Sequence, residues 1–106
     1  MPSLYQLTPR AIDDLGDIWD YIAEDNVDAA NRVESAILSA CSSLARYPLL
    51  GSKRSEITPQ PVRFWTVTRF PNFIVVYRPD TKPLQIVTVV HGKQNIKTLL
   101  EKSGTL

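Results

Sequence analysis

The chain has 106 residues, 43% of them apolar and 22% charged, with a net charge of +1 and one cysteine. This composition is ordinary for a globular protein, so disorder is not the default, and the length fits one domain over residues 1–106. No apolar run approaches the ~20 residues of a membrane span, Met1–Tyr5 carries no basic leader, and the lone Cys41 cannot form an internal disulfide, so a soluble cytoplasmic protein is expected.

In chain order, residues 3–7 read as a short strand in which Leu4 and Gln6 alternate with Tyr5 and Leu7. Thr8-Pro9 then marks a helix start, with Thr8 as cap and Pro9 at the first helical position. Ala11, Ile12, Leu15, Ile18, Trp19 and Ile22 recur at three- and four-residue spacing, which predicts an amphipathic helix to about Glu24. Asp13, Asp14 and Asp17 fall in its N-terminal half, where the helix dipole tolerates negative charge.

Asp25-Asn26 breaks that helix, and either residue can cap a second one. Its packed face would carry Ala30, Val33, Ile37, Ala40, Leu44 and Tyr47, and Pro48 ends it. The short connection predicts an antiparallel helical hairpin. Cys41 lies beside Ile37 and Leu44 in this pattern, so it reads as a core thiol and not as a nucleophile.

Residues 49–61 read as a loop, with Gly51, Pro59, Pro61 and the basic pair Lys53-Arg54. Three strands are expected next, at 62–68, 72–78 and 84–91. The turn residues Arg69-Phe70-Pro71-Asn72 and Pro79-Asp80-Thr81-Lys82 separate them, which predicts an antiparallel meander. A short helix over 95–102 is weakly signalled.

The order β-α-α-β-β-β predicts an α+β domain of two layers, with the helical hairpin on one face of a mainly antiparallel sheet. Phe73-Ile74-Val75-Val76-Tyr77 and Leu84–Val90 are apolar at both alternations, so both faces of these strands need cover. One hairpin covers only one face. The second face is therefore a candidate partner groove or self-association surface.

Charge is divided along the chain. Up to Tyr47 eight acids stand against three arginines, and from Pro48 onward nine cations stand against three acids. Such a split favours an anionic partner for the second half, although acids collecting on solvated helix faces produce the same pattern.

With one histidine, one cysteine and four scattered glycines, the sequence offers no zinc cluster, phosphate-cradling loop or serine-hydrolase elbow. The residues left for chemistry are Arg63, Arg69, Arg78, His91 and Lys93, with Lys53 and Arg54. A histidine among cations suits cleavage of an RNA phosphodiester, which needs proton transfer and stabilisation of a charged transition state. On residue types alone the structural reading is favoured, with Arg63 and Arg78 structural or salt-bridged and His91 bonded to a loop backbone, because spacing does not bring these side chains together.

Tyr5-Gln6-Leu7-Thr8, Ala11, Asp14-Leu15, Ile18 and Tyr21-Ile22 together resemble the opening of ParE-type toxins of the RelE/ParE superfamily. The likeness continues through Ala29-Ala30, Ile37, Leu44, Pro48, Gly51, Arg63, Phe73–Arg78 and Ile86–Lys93. It implies a helical hairpin on an antiparallel sheet and a toxin of a bacterial type II toxin–antitoxin module of plasmid-stabilising type. A ParD-like antitoxin would neutralise it, and no cofactor, metal, membrane contact or stable direct DNA binding is implied.

Two activities occur in the superfamily: RelE-like members cleave messenger RNA on the ribosome, and ParE-like members poison DNA gyrase. No tyrosine follows Tyr77, and His91-Gly92 resembles the ParE-like ending, with Lys93-Gln94 where a pair of arginines is usual. The gyrase branch is therefore favoured, with Arg63, Tyr77, Arg78, His91 and Lys93 as candidate contacts to antitoxin or target. If the chain were a ribosome-dependent endoribonuclease, Arg63, His91 and Lys93 would be its catalytic set. A non-toxic antitoxin-binding module is the third reading.

Overall fold

A computed structural model describes residues 4–91; Lys93 and the helix expected over 95–102 lie outside the described residues. The elements are β1 (Tyr5–Leu7), α1 (Pro9–Ala23), α2 (Val27–Arg46), β2 (Arg63–Thr66), β3 (Phe73–Arg78) and β4 (Leu84–His91). The order is the one expected, and the fold is α+β.

Thr8 performs three tasks at the start of α1. Its hydroxyl oxygen accepts from Ala11 N at 3.0 Å as an N-cap, its hydroxyl donates to Val87 O at 2.6 Å, and its own N–H donates to Ile86 O at 3.1 Å. The cap thus ties the helix start to β4. Of the two candidate caps for α2, Asn26 is used: its side chain accepts from Ala29 N at 2.9 Å.

The sheet order is β1-β4-β3-β2. β4 pairs antiparallel with β3 and β3 with β2, completing the meander, while β1 runs parallel to β4. The parallel pair follows from connectivity: the helical hairpin is the crossover from β1 to β2, and the two reversals through β3 bring β4 back to the direction of β1. Between Val76 and Tyr77 the register shifts: Val76 faces Thr88 and Tyr77 faces Ile86, leaving Val87 as the extra residue of a bulge. The bulge lets Ile86 and Val89, three residues apart, both join the helix-facing core.

That core joins Ala11 and Leu15 of α1 with Val33, Ile37, Cys41 and Leu44 of α2, over Val75, Tyr77, Leu84, Ile86 and Val89 of the sheet. Cys41 has no exposed surface, as its spacing implied. Tyr47 departs from expectation. It caps α2 with non-helical angles (φ −130°, ψ 75°), which swings its ring off the packed stripe and leaves it 64% exposed.

Two further expectations are corrected. β2 stops at Thr66 and not at Thr68, because Val67, Phe70 and Phe73 close successive turns through Val67 N to Phe73 O, Phe70 N to Val67 O and Phe73 N to Phe70 O. The second face of the sheet is also less open than its two-sided apolar strands implied. Val62, Phe64, Val76 and Val87 form their own buried cluster there, with Ile57 and Ile74 packed against it, so the connection after α2 supplies cover the helices cannot.

Candidate functional site

The strand half is organised around the Tyr77 side chain, which has no exposed surface. Its hydroxyl oxygen accepts from Gly51 N at 2.8 Å and its hydroxyl donates to Pro48 O at 2.7 Å. Beside it Arg63, directly opposite Tyr77 in the register, donates from a guanidinium nitrogen to Gly51 O at 2.7 Å. Two strand side chains thus fix both polar groups of Gly51. A Cβ at residue 51 would lie 2.6 Å from the Tyr77 hydroxyl and 2.8 Å from Phe64 O, so glycine is required by space.

The clamp presents a tip. Leu50 N donates to Tyr47 O at 3.0 Å, and Tyr47, Leu49 and Leu50 stand exposed on it, Leu49 at 71%. Burial raises the Tyr77 phenol above its ordinary value, opposed by the Gly51 N–H and the charge of Arg63. The phenol is therefore neutral at physiological pH. In the same connection Arg54 hydrogen-bonds Glu56 and holds that exposed carboxyl below its usual range.

Of the residues singled out from the sequence, Arg63 and Tyr77 meet at one end of β3, where the half-buried Arg78 follows, opposite Gln85. Tyr77 is a scaffold with no surface to offer a partner. His91 is elsewhere. It pairs with Phe73 at the opposite end of β3, ring edge to ring face with centroids 5.5 Å apart. Tyr77 and Phe73 are four residues apart, so Arg63 and His91 are offset by roughly 13 Å along the strand direction, on strands either side of β3.

His91 faces the acidic side of the protein. With Asp14, Asp17, Ile18, Tyr21, Phe73 and Val89 it lines a groove of about 500 Å³ between α1 and β4. Asp14 is a structural residue and not one of the solvated acids of α1. One of its carboxylate oxygens accepts from Val89 N at 3.1 Å and from the Thr88 hydroxyl, at the β4 edge beyond the reach of β1, while Arg10 lies 3.6 Å from the other. The signal was present: Asp14 falls three residues after Ala11 and four before Ile18, on the apolar stripe itself. Among the described residues no group of three His, Cys, Asp or Glu side chains could hold a metal ion, and no helix is long and apolar enough to cross a membrane.

A four-stranded mixed sheet with a helical hairpin on one face, and a basic, clamped strand end remote from the single histidine, defines a small α+β protein with the architecture of the RelE/ParE superfamily. The chain belongs to the ParE toxin family of type II toxin–antitoxin systems (parDE), whose family model matches residues 5–96. It is 36% identical over 88 residues to a Sinorhizobium fredii (strain NBRC 101917 / NGR234) protein named "Putative toxin Y4kP", covering 82% of this chain and 85% of that one. Among solved structures it resembles a chain of the chromosomal ParDE TA system from P. aeruginosa, with a TM-score of 0.68 and 25% identity over 82% of this chain and 92% of that one.

Proposed function

We propose that this chain is the toxin of a ParD–ParE-type pair, held inactive in the cytoplasm by a ParD-like antitoxin and acting on DNA gyrase when released. The observation that carries the choice of gyrase over RNA cleavage is the placement of Arg63 and His91 at opposite ends of β3. A general acid or base must come within about 3 Å of the proton it moves, and the cations stabilising the transition state must crowd the same phosphate. Arg63 is committed to the Gly51 carbonyl, and His91 packs on Phe73 across the sheet. Both placements favour a toxin that works by binding.

The antitoxin reading draws on family membership and on the basic strand half. An acidic antitoxin segment would meet Arg78 and the outer face of Arg63, with apolar side chains against the exposed 47–50 tip. Incubating the purified chain with gyrase and supercoiled plasmid tests the target. Loss of supercoiling activity or accumulation of linear DNA is expected, and unchanged DNA at excess toxin sinks the gyrase assignment.

A further inference from the structure

Between α2 and the turn that joins β2 to β3 lies a cleft of about 470 Å³, apart from both the clamp at Gly51 and the groove at His91. Arg32 stands on its helix wall and Arg69 on its turn wall, both exposed. Ser35, Ser39 and Ser43 follow Arg32 along the helix wall. Their four-residue spacing repeats a hydroxyl about every 6 Å. Thr68 adds a hydroxyl from the opposite wall, near the half-buried Trp65.

Every polar side chain lining this cleft can donate a hydrogen bond, and none is a carboxylate. Asn31 fits the pattern: its amide oxygen accepts from Trp19 Nε1 at 2.9 Å, which leaves its NH2 group to donate. Among the described residues no hydrogen bond engages the Ser35, Ser39 or Ser43 side chain, and neither arginine has an ion pair. By contrast Arg10, Arg54 and Arg63 are engaged by Asp14, Glu56 and the Gly51 carbonyl. Asp28 and Glu34 belong to the same helix but do not line the cleft.

A cleft that offers only donors, two of them guanidinium groups on facing walls, suits a ligand with negative charge and several acceptor oxygens. The donors are strung along the cleft and not gathered at one point, so an extended polyanion uses them where a single anion does not. We propose that this cleft holds the phosphodiester backbone of one DNA strand, with phosphates against Arg32, Arg69 and the α2 hydroxyls and a base against Trp65. The proposal rests on the gyrase reading above, in which the target carries DNA, and specifies where the toxin touches that DNA. An acidic protein segment is the competing occupant. A nucleic acid strand is favoured because it brings a phosphate at every nucleotide to a row of donors one helical turn apart, and because its bases stack on aromatic side chains. Two cations make a weak contact, which adds to gyrase binding and does not replace it.

The test titrates the full-length, isotope-labelled chain with a short oligothymidylate, and with the same oligomer carrying an uncharged methylphosphonate backbone. Saturable binding on the order of 0.1 mM is expected, with the largest amide shifts at residues 31–43 and 65–69. Two neutralised phosphates on a single strand give a slope of log affinity against log salt of about −1.4. The uncharged oligomer, and a chain carrying Arg32→Glu with Arg69→Glu, should each show at least about tenfold weaker binding. Trp65→Leu should weaken binding at unchanged salt slope. Equal binding of the uncharged oligomer, shifts centred on Arg63 and Arg78, or tighter binding of a polyglutamate peptide over the same residues overturns the proposal.

A second arm separates the cleft from the gyrase reading. With gyrase and supercoiled plasmid, the Arg32→Glu, Arg69→Glu chain should accumulate at least about tenfold less linear DNA than the native chain at equal concentration, its fold checked by circular dichroism. If it poisons gyrase as fully as the native chain, the cleft does not hold DNA in the complex and the gyrase reading stands. If the native chain leaves gyrase unaffected, the gyrase reading fails, and the oligonucleotide titration alone decides whether the cleft binds a strand.

Discussion

The Tyr77 hydroxyl and the Gly51 amide, 26 residues apart, meet at 2.8 Å in a buried hydrogen bond, and the same hydroxyl donates to Pro48 O. Tyr77→Phe keeps the ring and leaves both backbone groups without that partner. Leaving buried polar groups unpaired costs about 1–3 kcal/mol each. Tyr77→Phe is therefore expected to lower the urea midpoint at unchanged slope. Gly51→Ala should cost at least as much, because its methyl would meet both the phenol and the backbone oxygen of Phe64, which cannot rotate away. A variant as stable as the native chain would show that the connection relaxes freely and is not clamped.

Cys41 provides a pH signature. Burial pushes its thiol from 9.0 up to about 12. Because the folded value is the higher one, the stabilisation is complete below about pH 9 and fades as the unfolded chain ionises its thiol while the folded chain does not. Between about pH 8 and pH 10 the native protein should lose on the order of 1 kcal/mol, as measured by urea unfolding. Cys41→Ala should flatten that slope whatever its own packing cost. Tyr5 and Tyr77 are shifted upward too, so they add to the decline only above about pH 10. A native thiol that reacts at pH 8 as fast as a denatured one would contradict this placement.

Much of the architecture was legible because its signals are local. Thr8-Pro9, Asn26 and Pro48 punctuate the helices, and the β-branched runs after Asn72 and Pro83 become β3 and β4. The site was less legible because it depends on register. Nothing in the spacing of Arg63, Arg78 and His91 says that the first two share an end of β3 and the third does not. Nor does sequence reveal that Gly51, in a loop, is the residue Arg63 and Tyr77 jointly hold. The bulge at Val87 matters for the same reason: one inserted residue resets which side chains of β4 face the helices. The cover of the second face by the segment around Ile57 and Val62 was hidden among proline and polar residues that read as plain loop.

Asp14 offers a test in which the conservative variant differs from the truncating one. A single carboxylate oxygen accepts from both the Thr88 hydroxyl and Val89 N. Asparagine retains one oxygen that can take both bonds, whereas alanine retains none. Asp14→Ala should cost about 1–3 kcal/mol by leaving the β4 edge unsatisfied, and Asp14→Asn should cost less than that. Hydrogen exchange locates the effect, with the Val89 amide losing protection in the alanine variant. Equal losses for the two would point to charge, through Arg10, as the dominant contribution of Asp14.

On the basic strand end, Arg78→Glu is the cleaner probe of antitoxin binding, because Arg63→Glu also removes the hydrogen bond to Gly51. If acidic antitoxin residues meet this end, Arg78→Glu should weaken the complex about tenfold or more, with the loss shrinking at high salt as screening grows. Calorimetric titration at two ionic strengths measures both. Unchanged affinity at low salt would move the acidic contacts away from Arg78.

The separation of Arg63 from His91 makes the strongest prediction about mechanism. Residues serving one phosphodiester act as a unit, so their removals combine far less than additively, and either alone costs about 10²–10⁴ in rate. Residues on the two strands that flank β3, offset by roughly 13 Å along it, share no reacting atom. Arg63→Ala and His91→Ala should therefore change gyrase inhibition independently, their free-energy effects adding within about 0.5 kcal/mol. In a translating extract the native chain should leave messenger RNA intact while plasmid supercoiling by added gyrase falls. Codon-spaced cleavage that disappears with either single substitution would reverse the assignment, since only a target that closes the gap between the two side chains could produce it.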